Sequence, residues 1–217
     1  MLETDRSVWM LLARWRARAF LIAGGLLLAS PVTKGLTLLA DVSPPVWLIA
    51  LLVFPGLLAA LAGLLGMYPR LADEASRLAF AGGVATVFAG CGVTLLFGWV
   101  LASSVSLSLG TLTVTAPPGS VFLSLMVLIA SGFCLFGLAS LQAAAHSRTT
   151  GYLLLGFAVP WVVILAVTPV YGSDLPGWLA LAVYGVIPIM LLTTGYSVRD
   201  DGPLSDGDPL PGTPSAW

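Results

Sequence analysis

The chain has 217 residues, 58% of them hydrophobic and 9% charged, with a formal net charge of −1. An ordinary soluble domain carries about 25% charged residues, so a water-soluble fold that covers its surface with polar groups is excluded. So is nucleic acid as a partner, because no basic stripe with interleaved aromatics is present; the partner that this composition names is the lipid bilayer.

Residues 1–18 read as a basic amphipathic cytoplasmic lead. Val8, Leu11, Leu12, Trp15 and Ala19 share one helical arc, and Arg14 and Arg18 lie together off it. Such a segment is expected to lie in the headgroup layer before the chain turns into the membrane, with Trp9 and Trp15 at interfacial depth. The apolar block that follows runs to Ala40 without a convincing small-x-small cleavage site, so it is read as a retained helix and not a signal peptide.

A membrane-crossing helix needs about 20 mostly apolar residues, and six such segments follow in order. They are 19–40, interrupted by Pro31 and Lys34; 46–67, holding Pro55; 78–103; 119–143; 151–171, holding Pro160; and 176–196, holding Pro188. Asp41 to Pro45 makes the first outer turn, and Tyr68 to Arg77 a short helical connection with Asp73 and Arg77 in i,i+4 order. Gly82, Gly83, Gly90, Gly92 and Gly98 crowd the third segment. Small residues let helices approach closely in lipid, which predicts a central place for it in the bundle. Residues 197–217, rich in Pro, Gly, Asp and Ser, read as a disordered acidic cytoplasmic tail.

One connection departs from helical periodicity. From Ser104 to Thr115 polar and apolar residues alternate with period two. With Gly110-Thr111 as a two-residue turn, the apolar side chains of the two strands share one face. This predicts a short extracellular β-hairpin over about 104–116.

Charge sets the orientation. Arg6, Arg14, Arg16, Arg18, Arg70, Arg77, Arg148 and Arg199 all fall near one set of span ends, and Lys34 alone lies toward the other. By the positive-inside rule the arginine side is cytoplasmic. Aromatics agree, with Trp47, Trp99, Tyr171 and Trp178 at outer ends and Tyr68, Tyr152 and Tyr196 at inner ends. The expected fold is therefore all-α: an integral membrane six-helix bundle, multi-pass in the cell membrane, with both termini cytoplasmic.

Chemistry-bearing residues are few. Lys34 is the charge inside a span, with Asp41 two turns further out and Thr37 between them. A charge within the membrane is a functional candidate by default. Read functionally, Lys34, Thr37 and Asp41 contact a ligand in an outward cavity, with Trp161 and Tyr184 lining it. Read structurally, Lys34 snorkels to the outer interface. His146 falls in a short inner loop, and Cys91 and Cys134 read as packing residues of the third and fourth spans. No acidic residue falls within a span and no metal-ligand or nucleophile–base spacing occurs, so neither metal, cofactor nor catalysis is expected. The leading expectation is a non-enzymatic subunit or scaffold, packing with copies of itself or with membrane-protein partners. The alternative is a solute-binding or permease component.

Overall fold

The structure is a computed structural model and describes residues 2–42, 44–109, 119–143, 147–171 and 176–200. These form seven helices: α1 (Leu2–Leu27), α2 (Ala29–Ala40), α3 (Val46–Glu74), α4 (Ser76–Leu109), α5 (Gly119–Gln142), α6 (Arg148–Tyr171) and α7 (Gly177–Asp200). Among the described residues there are no strands, and six helical runs are long and apolar enough to cross a membrane. The first of these runs, Trp9–Ala40, comprises α2 and most of α1.

The joint between α1 and α2 follows from Pro31. Proline has no amide N–H and its ring crowds the carbonyl four residues back, here that of Leu27. The helix breaks there, at Leu28, while the flanking bonds Leu28 N to Gly24 O (3.1 Å) and Val32 N to Leu28 O (3.2 Å) persist. The chain thus continues in nearly the same course, and α2 ends at Asp41, which adopts a left-handed conformation (φ 53°).

The six spans pack in chain order and close into a ring: α1 on α3, then α4, α5, α6 and α7, with α7 returning to α1. Neighbours run antiparallel. Gly83 lies beside Tyr68 and Gly90 beside Leu61, folding α3 and α4 back on one another about Ala75. Ala75 is the joint itself (φ −128°, ψ 46°), its N–H still bonded to Leu71 O at 2.9 Å.

Small residues set the closest approaches, as expected in lipid, where packing rather than hydrophobic exclusion drives association. A Cβ on Gly66 of α3 would stand 2.5 Å from Leu12 O and 2.9 Å from Arg16 Cβ of α1. Gly137 and Gly151 mark the α5–α6 crossing in a reciprocal way, a Cβ on either falling 3.1 Å from the other's carbonyl oxygen. Inside the ring, Phe20, Phe133, Phe136 and Phe157 are fully buried, with Leu64, Met67, Leu71, Leu154 and Leu191 around them. The Phe133 and Phe157 rings lie 3.8 Å apart, and Phe157 leads on to Trp161 at 6.2 Å. The centre is a filled apolar core. The outside is equally apolar, with Leu95, Phe80 and Phe88 more than 60% exposed on α4. Apolar on both faces is the signature of a bundle whose solvent is lipid.

Several sequence expectations are corrected. The lead does not form a separate surface helix. It is the first part of α1, which runs unbroken from Leu2 and turns Ala13, Arg16, Phe20, Ala23 and Leu27 inward. No breaker separates Arg18 from Ala19, and extending an existing helix avoids a nucleation cost. Leu11 and Trp15 instead face outward.

The connection after Tyr68 is helical as expected, with Pro69 inside α3, but the break at Ala75 falls between Asp73 and Arg77, so the two do not share a continuous helix face. The first strand of the expected hairpin is helical, since α4 continues to Leu109. Ser103 and Ser104 donate back to Val100 O at 2.9 and 2.8 Å. Propagating a helix is favoured over an isolated two-stranded hairpin, which is marginal in water. Residues 110–116 lie outside the described residues. Of the expected disordered tail, Ser197 to Asp200 belong to α7, and the remainder lies outside the described residues.

Candidate functional site

The residues singled out by sequence separate into two groups. Lys34 and Thr37 are exposed on α2, which buries none of its residues, and Asp41 is exposed at its end. Thr37 Oγ1 donates to Thr33 O at 2.9 Å and lies 3.3 Å from Val42 O, helping to close the end of α2. Trp161 is 8% exposed within the core, and Tyr184 packs against the same core from α7. The structure joins Trp161 and Tyr184 to one apolar cluster and leaves the three α2 residues outside it. His146 lies outside the described residues. Cys91 and Cys134 are free thiols, Cys91 exposed and Cys134 half-buried.

Hydroxyl groups at membrane depth are mostly satisfied locally. Thr86, Thr94 and Thr194 donate to the carbonyls four residues back at 2.7, 2.9 and 2.7 Å. Such back-bonding removes the cost of an orphan donor in lipid. Among the described residues, the buried Ser140 Oγ and Trp161 Nε1 have no hydrogen-bond partner.

Polar structure concentrates at the arginine-rich end. Ser147 precedes α6 and accepts a bond from the Thr150 N–H at 3.3 Å, an N-cap geometry. Ser197 of α7 joins the pair, 2.8 Å from Thr150 Oγ1 and 3.3 Å from Ser147 Oγ. This hydroxyl triangle ties the start of α6 to the end of α7, and Thr150 within it is fully buried. The Ser-x-x-Thr spacing carries the cap signal in the sequence; the third member, about fifty residues on, has none.

The same end holds a cavity of about 490 Å³ where the middle of α1 meets the end of α7. Four arginines line it: Arg14, Arg16 and Arg18 from α1 and Arg199 from α7. Arg16 is 3% exposed, with Gly66 of α3 leaving room beside its Cβ. The Arg18 guanidinium stands 4.9 Å from the centre of the Trp15 ring, a cation–π contact. Among the described residues, none of those lining it is acidic. The sequence reads these arginines as orientation charges and, for Arg14 and Arg18, as the polar face of the lead. The signal available was the i,i+4 spacing of Arg14 and Arg18; nothing in the sequence brings Arg199 to them.

Arg16 and Lys34 lie about 27 Å apart along the helical run at about 1.5 Å per residue, close to the roughly 30 Å hydrocarbon thickness of a bilayer. When one stands at the headgroup layer of one leaflet, the other reaches that of the opposite leaflet.

No protein-family model, curated protein or solved structure matches the chain.

Proposed function

We propose that the chain is a non-enzymatic subunit or scaffold of a complex in the cell membrane, inserted with both termini in the cytoplasm. The observation that carries this reading is the filled interior. Fully buried phenylalanines from α1, α5 and α6 occupy the centre of the ring, and the helices meet at glycine contacts too tight for a polar path. A bundle so packed offers its outer, lipid-facing surface for assembly. The orientation rests on the arginine distribution. It is supported by exposed Trp47 and Trp178 at the helix starts on the Lys34 side, and by exposed Tyr152 and Tyr196 at the arginine side.

The test is made in native membranes. A mild crosslinker should trap the chain in species larger than its 22.5 kDa monomer. A monomer throughout, in blue native gels as well, would overturn the assignment. Reporter fusions at the two ends should both read cytoplasmic.

The rival reading, a solute-binding or permease component, draws on one observation: the break at Leu28 sets α2, with Lys34, Thr37 and Asp41, apart from the buried core. It requires a water-filled space behind Lys34. A Lys34→Cys variant in a background lacking Cys91 and Cys134 should then react rapidly with a membrane-impermeant thiol reagent from outside. Failure to react removes that reading.

A further inference from the structure

We propose that α2 is a hinged outer leaf of the bundle: it swings about Leu28, with Leu38 on Gly177 as its latch, and its opening admits water between α2 and α7 as far as Tyr184. What points to this is the way α2 is turned. Ser30, Thr33, Lys34 and Thr37 fall within an arc of about 100° on one face, and Leu28, Val32, Leu36 and Leu39 run along the other. The apolar stripe faces out, with Val32 55% and Leu39 91% exposed, while Ser30 and Thr33 are half-buried against the bundle. Lipid dictates that arrangement, because hydrocarbon offers a hydroxyl no partner. It also sets a polar face on a wall that does not match it.

That wall is one stripe of α7. A Cβ on Gly177 would stand 2.6 Å from Leu38 Cδ2, and one on Gly24 of α1 would stand 2.9 Å from Pro188 O. Tyr184 is two turns from Gly177 and one from Pro188. It therefore lies on the same stripe, opposite the stretch of α2 that carries Ser30 and Thr33, and brings a phenol among apolar neighbours. The α2 threonines bond within their own helix: Thr33 Oγ1 donates to Ser30 O at 2.8 Å and Thr37 Oγ1 to Thr33 O at 2.9 Å.

The leaf is lightly held. None of the α2 residues is buried, and segments with few buried contacts are those that open at low free energy. Pro31 removes the hydrogen bond to Leu27 O that would stiffen the joint, and the far end is fastened where Leu38 covers Gly177. Swinging outward keeps Val32, Leu36 and Leu39 in lipid and gives the polar face water, the setting an amphipathic helix takes at an interface. Both positions are thus satisfied, as a two-state element requires. The movement concerns α2 alone; it leaves the aromatic core closed and is independent of the subunit reading above.

Thiol labelling of the full chain in sealed vesicles tests it, in a Cys91→Ala, Cys134→Ala background, with a charged methanethiosulfonate as the probe. Thr33→Cys, on the inward face, should react from the Lys34 side of the membrane and not from the arginine side. Adding Gly177→Leu, which leaves Leu38 no room, should speed that reaction at least about tenfold by raising the open population. Leu38→Ala removes the latch without overpacking; it should act in the same direction, and it carries the test if Gly177→Leu does not fold. Pro31→Ala restores the missing bond and should slow the reaction. Val32→Cys, on the lipid stripe, is the control, and its rate should change less than about twofold in either latch variant. Thr33→Cys unreactive throughout, indifferent to the latch, or matched by Val32→Cys would overturn the leaf. If Lys34→Cys labels rapidly while Thr33→Cys ignores the latch, the space behind Lys34 is a standing one: the leaf fails and the permease reading remains.

Discussion

Helices α3 and α4 are both studded with glycine, yet they occupy opposite situations. On α3, Gly56, Gly63 and Gly66 are buried, and a Cβ on Gly66 would strike the backbone of α1. On α4, Gly98 has nothing within 4 Å, Gly90 only a leucine methyl at 4.0 Å, and Gly82 and Gly92 meet the side chains of Phe136 and Leu125. Glycine content alone predicts that α4 is central. The structure instead places α3 against α1, α4 and part of α5, and leaves one side of α4 to Phe80, Phe88 and Leu95. What decides is the identity of the facing atom. A backbone oxygen cannot move aside, whereas a leucine or phenylalanine side chain can adjust, and open space makes no demand.

The contrast is testable by substitution, with stability read from denaturant titration in detergent followed by circular dichroism. Gly66→Leu should have the largest effect, a loss of more than about 3 kcal/mol, because α1 must lift from α3. Gly66→Ala should cost about 1–3 kcal/mol for the same reason on a smaller scale. Ser140→Ala should act in the opposite direction, with a gain of about 1 kcal/mol, since it removes a buried hydroxyl that has no partner. Gly98→Ala should also stabilise, by about 0.5–1 kcal/mol, through helix propensity with no contact to disturb. Lys34→Gln should be smallest, within about 0.5 kcal/mol, as for other exposed substitutions away from packing. Equal losses from alanine at Gly66 and Gly98 would break the comparison. A loss in Gly98→Ala by itself would reveal a partner seated on α4 that the single chain does not contain.

Two charges on one helical run make a second comparison. Arg16 stands in the basic lead between Arg14 and Arg18, whereas Lys34 stands inside the first apolar span, and intramembrane position marks Lys34 as the functional candidate. In the fold Lys34 is exposed on α2, while Arg16 is buried where three helices meet and lines a cavity with three further arginines. The basic lead looked like an independent segment because its arginines interrupt the apolar pattern. It proved continuous with the span because Gly66 admits the arginine stem.

The sequence by itself determined the lipid solvent and the six spanning-capable helices. Both follow from local composition, because hydrocarbon demands long apolar runs with internally satisfied backbones. Tertiary structure alone decided which glycine-bearing helix is central, that the lead packs inward at Arg16, and that Arg199 meets Arg14 and Arg18. It also decided that Ser197 closes a hydroxyl triangle with Ser147 and Thr150. The reason is common to all four. In lipid, an apolar residue facing a neighbouring helix and one facing acyl chains are chemically alike, so the sequence pattern does not distinguish inside from outside. Only the approach of particular backbones, at Gly66, Gly137 and Gly151, draws that line.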